Sequence, residues 1–211
     1  MEIFITGIGT DVGKTIVSAV FVKALQADYF KPIQAGDLHY SDTDKVKELA
    51  DSQKSKFYAN AYALQTPMSP HAAADIDEIK IDIDQIQRPE TDHHLIIEGA
   101  GGLLVPINQH NCIIDLIKKT DKVILVSRHY LGSINHTLLS HQLLQQRNID
   151  YEIVFIGDEH PTTESIIERM TGKTPIGRIP LLKDINPKTI ASKAEMLRKN
   201  IIDKLLINPE L

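Results

Sequence analysis

A glycine-rich loop near the start of the chain most constrains what it can fold into. Residues 7–15 follow the apolar run Ile3–Ile5 and end in Gly-Lys-Thr, where an apolar-periodic segment begins. The pattern predicts a buried strand, a tight turn and a helix whose first N–H groups face the turn. Because free N–H groups at a helix N-terminus attract anions, the loop predicts a site for the phosphates of a nucleotide.

The loop is one residue longer than the usual phosphate-binding pattern. That pattern has four residues between its first glycine and Gly-Lys-Thr, which would place a glycine where this chain has Ile8. Counting from Gly7 leaves five residues instead. Within the loop, Lys14 is expected to reach the β- and γ-phosphates and the Thr15 hydroxyl is expected to bind Mg²⁺.

Composition bounds the class of protein. The 211 residues suffice for a single α/β domain over 1–211, and the net charge of −5 offers no basic surface for nucleic acid. No apolar run approaches the roughly 20 residues of a membrane span, and the N-terminus has no signal-peptide pattern. The single cysteine, Cys112, excludes an internal disulfide framework, so we expect a cytoplasmic protein without a membrane partner.

Predicted strands and helices alternate along the chain. The expected strands are Ile3–Thr6, Tyr29–Lys31, His94–Ile97, Lys122–Ser127, Tyr151–Ile156 and Pro175–Ile179. The expected helices are Lys14–Gln26, Thr43–Asp51, Asp82–Gln87, Ile113–Lys118, Ile134–Gln146, Thr163–Thr171 and Lys188–Lys204. Such alternation predicts a P-loop NTPase-like α/β fold, with a mostly parallel sheet and helices on both faces. Ligands of such sheets bind where the strands end, so loops that follow strands should converge.

Two later loops carry chemically capable residues at that edge. Lys31 ends the expected second strand and either points at the phosphates or is a surface lysine before Pro32. In the segment Ser41–Asp44, an acidic residue can cap the following helix or bind Mg²⁺. Different residues of the segment can take the two roles. Glu98 follows a buried run and precedes Gly99–Gly102, the geometry of the acidic Mg²⁺ ligand in P-loop enzymes.

Four blocks together resemble dethiobiotin synthetases. They are Thr6–Thr15, Lys31–Gly36, Ile97–Leu103 and Leu131–His136. Smaller matches occur at Pro67–His71 and Gly177–Pro180, so the resemblance spans nearly the whole chain.

The resemblance implies an ATP-dependent cyclo-ligase of biotin biosynthesis. Members close a ureido ring on 7,8-diaminopelargonate with CO₂ (or bicarbonate), ATP and Mg²⁺. One amine takes up CO₂ as a carbamate, the carbamate attacks the γ-phosphate, and the second amine displaces phosphate. Members are homodimers with the substrate site at the interface.

The same resemblance assigns roles to residues of this chain. Lys14 and Lys31 would be catalytic, stabilising charge on the transferring phosphoryl group and the carbamate. The Mg²⁺ ligands would be Thr15, Asp42 and Glu98. These three and Lys14 would also contact the nucleotide, together with Asp11, Val12, Gly13, Ile16, Gly99, Ala100, Gly101, Gly157, Asp158, Ile179, Pro180 and Leu181. The substrate would be held by Ala35 and Gly101, and by Leu131, Gly132 and Asn135 of the other subunit.

Three positions depart from the family pattern or leave it ambiguous. Ala35 stands where the family often has Ser or Thr, so one substrate hydrogen bond is missing or supplied elsewhere. Gly157 stands where many members have an Asn that reads adenine, so we expect weak adenine selectivity. Asp42 and Asp44 both fit the acidic position, and Asp42 is chosen because Ser41-Asp42 looks like the family's Ser-Asp pair.

Two other functions are weighed against this one. A switch ATPase of the partition or septum-positioning type would carry a second lysine where this chain has Gly9, and often a membrane-binding tail. Residues 205–211 are expected to be too short and unpatterned for such a tail. A cobyrinate amidotransferase-like enzyme would need a glutaminase domain, for which 211 residues leave no room.

Overall fold

The first strand lies in the interior of a six-stranded, fully parallel sheet. The computed structural model describes residues 1–206. The strands are β1 (Glu2–Gly7), β2 (Asp28–Phe30), β3 (Ile33–Ala35), β4 (Tyr62–Leu64), β5 (Leu95–Gly102), β6 (Lys122–Arg128), β7 (Tyr151–Ile156) and β8 (Gly177–Ile179). The helices are α1 (Lys14–Leu25), α2 (Asp42–Ala50), α3 (Pro70–Ile76), α4 (Ser133–Gln146), α5 (Pro161–Thr171) and α6 (Pro187–Leu205). The main sheet has the order β2-β5-β1-β6-β7-β8, and β3 pairs with β4 in a second, parallel sheet.

Strand alternation divides the core between the two faces of the main sheet. Ile3 and Ile5 belong to one buried cluster, whereas Phe4 between them belongs to the other. The helices α1, α2 and α6 pack together over the first cluster, and α4 packs with α5 over the second. Both faces of the sheet are therefore covered, which confirms the predicted fold class.

The predicted strands that carry the motifs are confirmed with shifted bounds. The second strand is Asp28–Phe30 rather than Tyr29–Lys31, so Lys31 lies just beyond it. The strand expected at His94–Ile97 is Leu95–Gly102, because β5 pairs with β1 again at Gly102 and Gly7 after a register shift, with Gly101 at a φ of 68°.

Several short elements differ from the prediction. The segments Asp82–Gln87 and Ile113–Lys118 contain only 3₁₀ turns, at Ile83–Gln85 and Ile113–Leu116. The strands β3 and β4 and the helix α3 were not expected at all. Each of the two strands is only three residues long, which is too short to show an alternating pattern.

The helix α4 begins and ends almost at the predicted residues, but the positions that it buries differ from the prediction. The expected apolar positions were Ile134, Leu138, Leu139 and Leu143. In the structure Leu139 is exposed, while Thr137 and Leu144 are buried. The helix therefore presents apolar side chains away from its own core.

A buried arginine ties the segment before β5 to the sheet. The Arg88 guanidinium donates to the Asp121 carboxylate at 2.6 and 2.8 Å, and also contacts Glu2 at 2.8 Å. We expect Arg88→Met to lower the free energy of unfolding by about 3 kcal/mol, because the Asp121 charge would stay buried without its partner. Urea unfolding followed by circular dichroism measures the change.

Lys118→Met is the matched control for Arg88→Met. Its ammonium approaches the same Glu2 carboxylate at 3.5 Å, but from an exposed position. Exposed pairs contribute less than about 1 kcal/mol, so this variant should unfold almost as the parent does. Equal losses in the two variants would contradict the role given to Asp121.

Within residues 1–206, no helix is long and apolar enough to cross a membrane. Most of the segment 205–211, expected to be too short for a membrane tail, lies outside the described residues.

Candidate active site

A cavity of about 840 Å³ opens at the carboxyl ends of β1, β2 and β5. The loops after these strands supply much of its lining, as expected for a parallel sheet. The predicted site residues that line it are Asp11, Gly13, Lys14, Thr15, Ile16, Lys31, Ala35, Asp42, Glu98, Ala100 and Gly101. Residues far apart in sequence thus meet around one space.

The glycine-rich loop is shaped by close backbone packing. Gly13 caps α1 with φ at 96°, a conformation that glycine adopts without strain. A Cβ on Gly7 would lie 2.5 Å from the Val12 side chain, so the first glycine is also required. The Arg128 guanidinium donates to the Asp11 carbonyl at 2.8 Å and holds the outer part of the loop. These two glycines therefore allow the loop backbone to pack closely against Val12 and Ile156.

Lys14 projects into this loop from the first position of α1. Its ammonium donates to the Gly9 carbonyl at 3.0 Å, and the side chain is almost fully buried. Burial lowers the pKa of Lys14 to about 8; Glu98 opposes this shift and Lys31 adds to it. A partly desolvated ammonium gains more from an anionic ligand than an exposed one does.

Glu98 has more hydrogen-bonding and charged partners than any other residue described in this site. Its Oε1 accepts from the Thr15 hydroxyl at 3.1 Å and lies 3.6 Å from the Lys31 ammonium. Its Oε2 accepts from the Ser18 hydroxyl at 2.7 Å and from the Tyr29 hydroxyl at 2.9 Å. A carboxylate that is only 1% exposed needs such partners, and here every partner is a donor.

Lys31 bridges the two carboxylates of the cavity. Its ammonium contacts the Asp42 carboxylate and lies near Glu98 Oε1. Burial lowers the pKa of Lys31, but Glu98 and Asp42 more than offset it, so the net shift is upward. Burial likewise raises the pKa of Asp42, and Lys31 reverses that shift to give a net decrease. Lys31 and Asp42 therefore remain charged at neutral pH.

The two aspartates at the start of α2 have different surroundings. Asp42 contacts Lys31 and Lys45 in the cavity. The Asp44 carboxylate accepts from the Ser41 backbone N–H at 2.9 Å, and the Asp44 backbone N–H donates to the Ser41 hydroxyl at 3.3 Å, which together form a capping box. Asp44 therefore caps the helix, and Asp42 is the carboxylate that faces the other charged groups.

Comparison with known proteins identifies the family. A family model described as an AAA domain matches residues 1–189. The ATP-dependent dethiobiotin synthetase BioD of Christiangramia forsetii is 57% identical over 95% of this chain and 97% of its own length. The BioD of Cytophaga hutchinsonii is 46% identical over 93% of this chain and 97% of its own length. The chain belongs to the dethiobiotin synthetase family. It is thus an ATP-dependent ligase, as the resemblance predicted.

One solved structure has the same fold but is assigned a different function. A Borrelia burgdorferi B31 protein assigned to plasmid partition, crystallised with AMPPNP, aligns with a TM-score of 0.57 at 10% identity. The alignment covers 97% of this chain and 99% of that one. At this identity the likeness shows the fold alone, whereas the dethiobiotin synthetases share sequence over nearly the whole chain.

Some positions that match the dethiobiotin synthetase pattern lie outside the cavity lining. The Val12 side chain is buried, and a Cβ on Gly99 would lie 3.0 Å from Ile113 in the core. The predicted nucleotide contacts at and after the ends of β7 and β8 do not line the cavity; they are Gly157, Asp158, Ile179, Pro180 and Leu181. The same is true of the predicted substrate contacts from the other subunit, which are Leu131, Gly132 and Asn135.

The resemblance to dethiobiotin synthetases did not reveal every contact in the site. Ser18 and Tyr29, which bond Glu98, were missed, as was Lys45 beside Asp42. Two periodic signals could have found the first pair. Ser18 lies three residues after Thr15 on the same face of α1, and strand alternation places Tyr29 on the same side as Lys31.

Proposed function

We propose that this protein makes dethiobiotin from 7,8-diaminopelargonate, CO₂ and ATP. The observation that carries the proposal is the meeting of Lys14, Lys31, Asp42 and Glu98 around one cavity. A phosphate-binding loop alone would fit many nucleotide-binding proteins. A second lysine, held charged by two carboxylates beside that loop, suits a reaction that moves a phosphoryl group onto an anionic acceptor.

The reaction would proceed in three steps. One amine of the substrate attacks CO₂ and loses a proton, giving a carbamate. The carbamate oxygen attacks the γ-phosphorus, the bond to the β-phosphate oxygen breaks, and ADP leaves. The second amine then attacks the carbamoyl carbon, closes the ureido ring and releases phosphate. Lys14 and Lys31 would orient the two anionic reactants and offset their mutual repulsion.

The donor set fits Mg²⁺ as the cofactor. Mg²⁺ prefers oxygen ligands and is usually held by one or two carboxylates together with substrate phosphates. Thr15 Oγ1 and Glu98 Oε1 lie 3.1 Å apart, and the Asp42 carboxylate lines the same cavity. We propose that these three residues hold the ion, which would neutralise charge on the phosphates.

We further propose a cytoplasmic homodimer in which each active site takes one loop from its partner. Leu131 is fully exposed and Asn135 is also exposed, just before and within the first turn of α4. Leu139 on the same helix is 56% exposed. A second copy of the chain would cover these apolar side chains. Each chain would then place this loop beside the cavity of its partner, because the loop does not line the cavity of its own chain.

A direct assay tests the proposed reaction. Purified protein is incubated with 7,8-diaminopelargonate, bicarbonate, ATP and Mg²⁺, and dethiobiotin and ADP are quantified by mass spectrometry. We expect both products in equal amounts, and no dethiobiotin when the diamino acid is omitted. If the protein binds ATP under these conditions and forms no dethiobiotin, the proposed function is wrong.

Weak selectivity for adenine is expected from Gly157. An Asn amide at this position would read the base edge, and glycine has no group to replace it. We expect the turnover rates with CTP and with GTP to stay within about tenfold of the rate with ATP. One neutral hydrogen bond to the base changes binding by only about a factor of ten, and here that bond is missing. Steady-state kinetics with the three nucleotides measures this ratio, and a strong preference for ATP would count against it.

The structure also predicts that the asparagine cannot simply be restored. Gly157 has φ at 134°, and a Cβ there would lie 3.0 Å from the Cβ of His129. Gly157→Asn is therefore expected to be strained. The double variant Gly157→Asn/His129→Gly removes the Cβ that the new side chain would meet, which alanine at position 129 would retain, and is the better test of restored selectivity.

A further inference from the structure

The two oxygens of the Glu98 carboxylate have different surroundings. Oε1 faces Thr15 and Lys31, and both of these residues line the cavity. Oε2 faces the hydroxyls of Ser18 and Tyr29, which are fully buried and do not line the cavity. One oxygen is thus directed toward the cavity and the other is held beneath it.

The donors on Oε2 come from two separate elements. Ser18 lies on α1, one turn beyond the phosphate-binding loop, and Tyr29 lies at the centre of β2. Both hydroxyls are directed at a carboxylate in a region from which water is excluded, where such hydrogen bonds are strong.

We propose that Ser18 and Tyr29 are positioning residues that fix Glu98 with Oε1 alone facing the bound cation. This inference rests on the proposed Mg²⁺ role of Glu98. Without the two donors, the carboxylate would be free to turn both oxygens toward the Lys31 ammonium, only 3.6 Å from Oε1. Lys31 would then compete with the cation for the same ligand, and the coupling between Mg²⁺ and nucleotide would weaken.

The test measures nucleotide affinity with and without the metal. The affinity for a non-hydrolysable ATP analogue is determined by calorimetry in Mg²⁺ and again in EDTA, and the ratio of the two defines the coupling. Tyr29→Phe removes only the hydroxyl. We expect it to reduce the coupling by about tenfold, the lower end of effects seen when a partner of a metal ligand is removed. Affinity in EDTA should change by less than about twofold, since no cavity-lining group is altered.

Tyr58→Phe is the matched control for Tyr29→Phe. The Tyr58 hydroxyl donates at 3.2 Å to Asp28, another buried carboxylate and the first residue of β2. It should leave the coupling unchanged while removing a hydrogen bond of the same kind. Equal coupling in wild type and Tyr29→Phe would overturn the proposal, and so would equal losses in Tyr29→Phe and Tyr58→Phe.

A second variant keeps the proposal testable if Tyr29→Phe does not fold. Ser18→Ala removes the shorter of the two bonds to Oε2 and should lower the coupling in the same direction. An unchanged coupling in Ser18→Ala would then overturn the proposal. Because the assay contains no 7,8-diaminopelargonate, its outcome is independent of the proposed reaction. A protein that forms no dethiobiotin, yet loses the coupling in Tyr29→Phe, would disprove the function and retain this inference.

Discussion

Lys31→Ala is expected to lower turnover about a thousandfold, because removal of one group that stabilises transition-state charge costs up to that factor. The affinity for ATP should change by no more than about threefold, since Lys14 and the loop backbone still bind the phosphates. Lys31 lies just beyond β2 and not on the phosphate-binding loop, with its ammonium between Asp42 and Glu98. We therefore expect Lys31 to act on the reacting groups more than on nucleotide binding.

Steady-state kinetics and calorimetry separate these two quantities. Lys173→Ala is the control, because it also removes a lysine from an ion pair, with Asp150 at 2.5 Å, but far from the cavity. It should keep wild-type turnover. Unchanged turnover in Lys31→Ala would remove this lysine from the mechanism, and an equal loss of turnover and nucleotide affinity would assign it to binding alone.

The fold of the variant is expected to survive the loss of Lys31. Glu98 keeps its three hydroxyl donors, and Asp42 keeps Lys45 at 3.4 Å. Neither carboxylate is therefore left without a side-chain partner, whereas Asp121 would lose its ion-pair partner with Arg88 and keep only the Lys118 backbone N–H. A thermal unfolding midpoint within a few degrees of wild type would confirm that the loss of turnover is chemical.

The parts of the fold that could be predicted are those in which one strong pattern decides the structure. The apolar run before Gly7 and the spacing of Lys14 and Thr15 predicted a strand, a loop and a helix, and the structure confirms all three. The pairing of β3 with β4 depends instead on contacts between distant segments of three residues each, which carry no periodic signal of their own.

The candidate site was predictable to the extent that each residue follows a strand or opens a helix. Glu98 and Lys31 were expected at the same edge of the sheet, and the Lys31 ammonium lies 3.6 Å from Glu98 Oε1. The surroundings of Asp42 and Asp44 were not predictable, because either residue could cap α2 and only the packing of that helix against Lys31 distinguishes them. Tyr29 was missed because a tyrosine in a buried strand is ordinarily an apolar core residue whose hydroxyl partner the sequence does not reveal.

A heterodimer of two inactive variants is expected to recover about half of wild-type activity if the active sites are shared between subunits. One chain carries Lys31→Ala and the other carries Asn135→Asp. The resemblance to dethiobiotin synthetases implies that Asn135 contacts the carboxylate of the substrate, so an aspartate there should repel the substrate and lower kcat/KM by more than about a hundredfold. The substitution should not disturb folding, because Asn135 is the third residue of α4 and a negative charge is favourable near a helix N-terminus.

The arithmetic of the heterodimer distinguishes a shared site from a self-contained one. The cavity with an intact Lys31 would receive the intact Asn135 of its partner, while the other cavity would carry both defects. Co-expression with two different affinity tags and tandem purification isolates this species, and the two homodimeric variants serve as controls. If loop and cavity of the same chain worked together, each site would carry one defect and the heterodimer would be as inactive as its parents. Because neither Leu131 nor Asn135 lines the cavity of its own chain, recovery of activity is the outcome that the geometry favours.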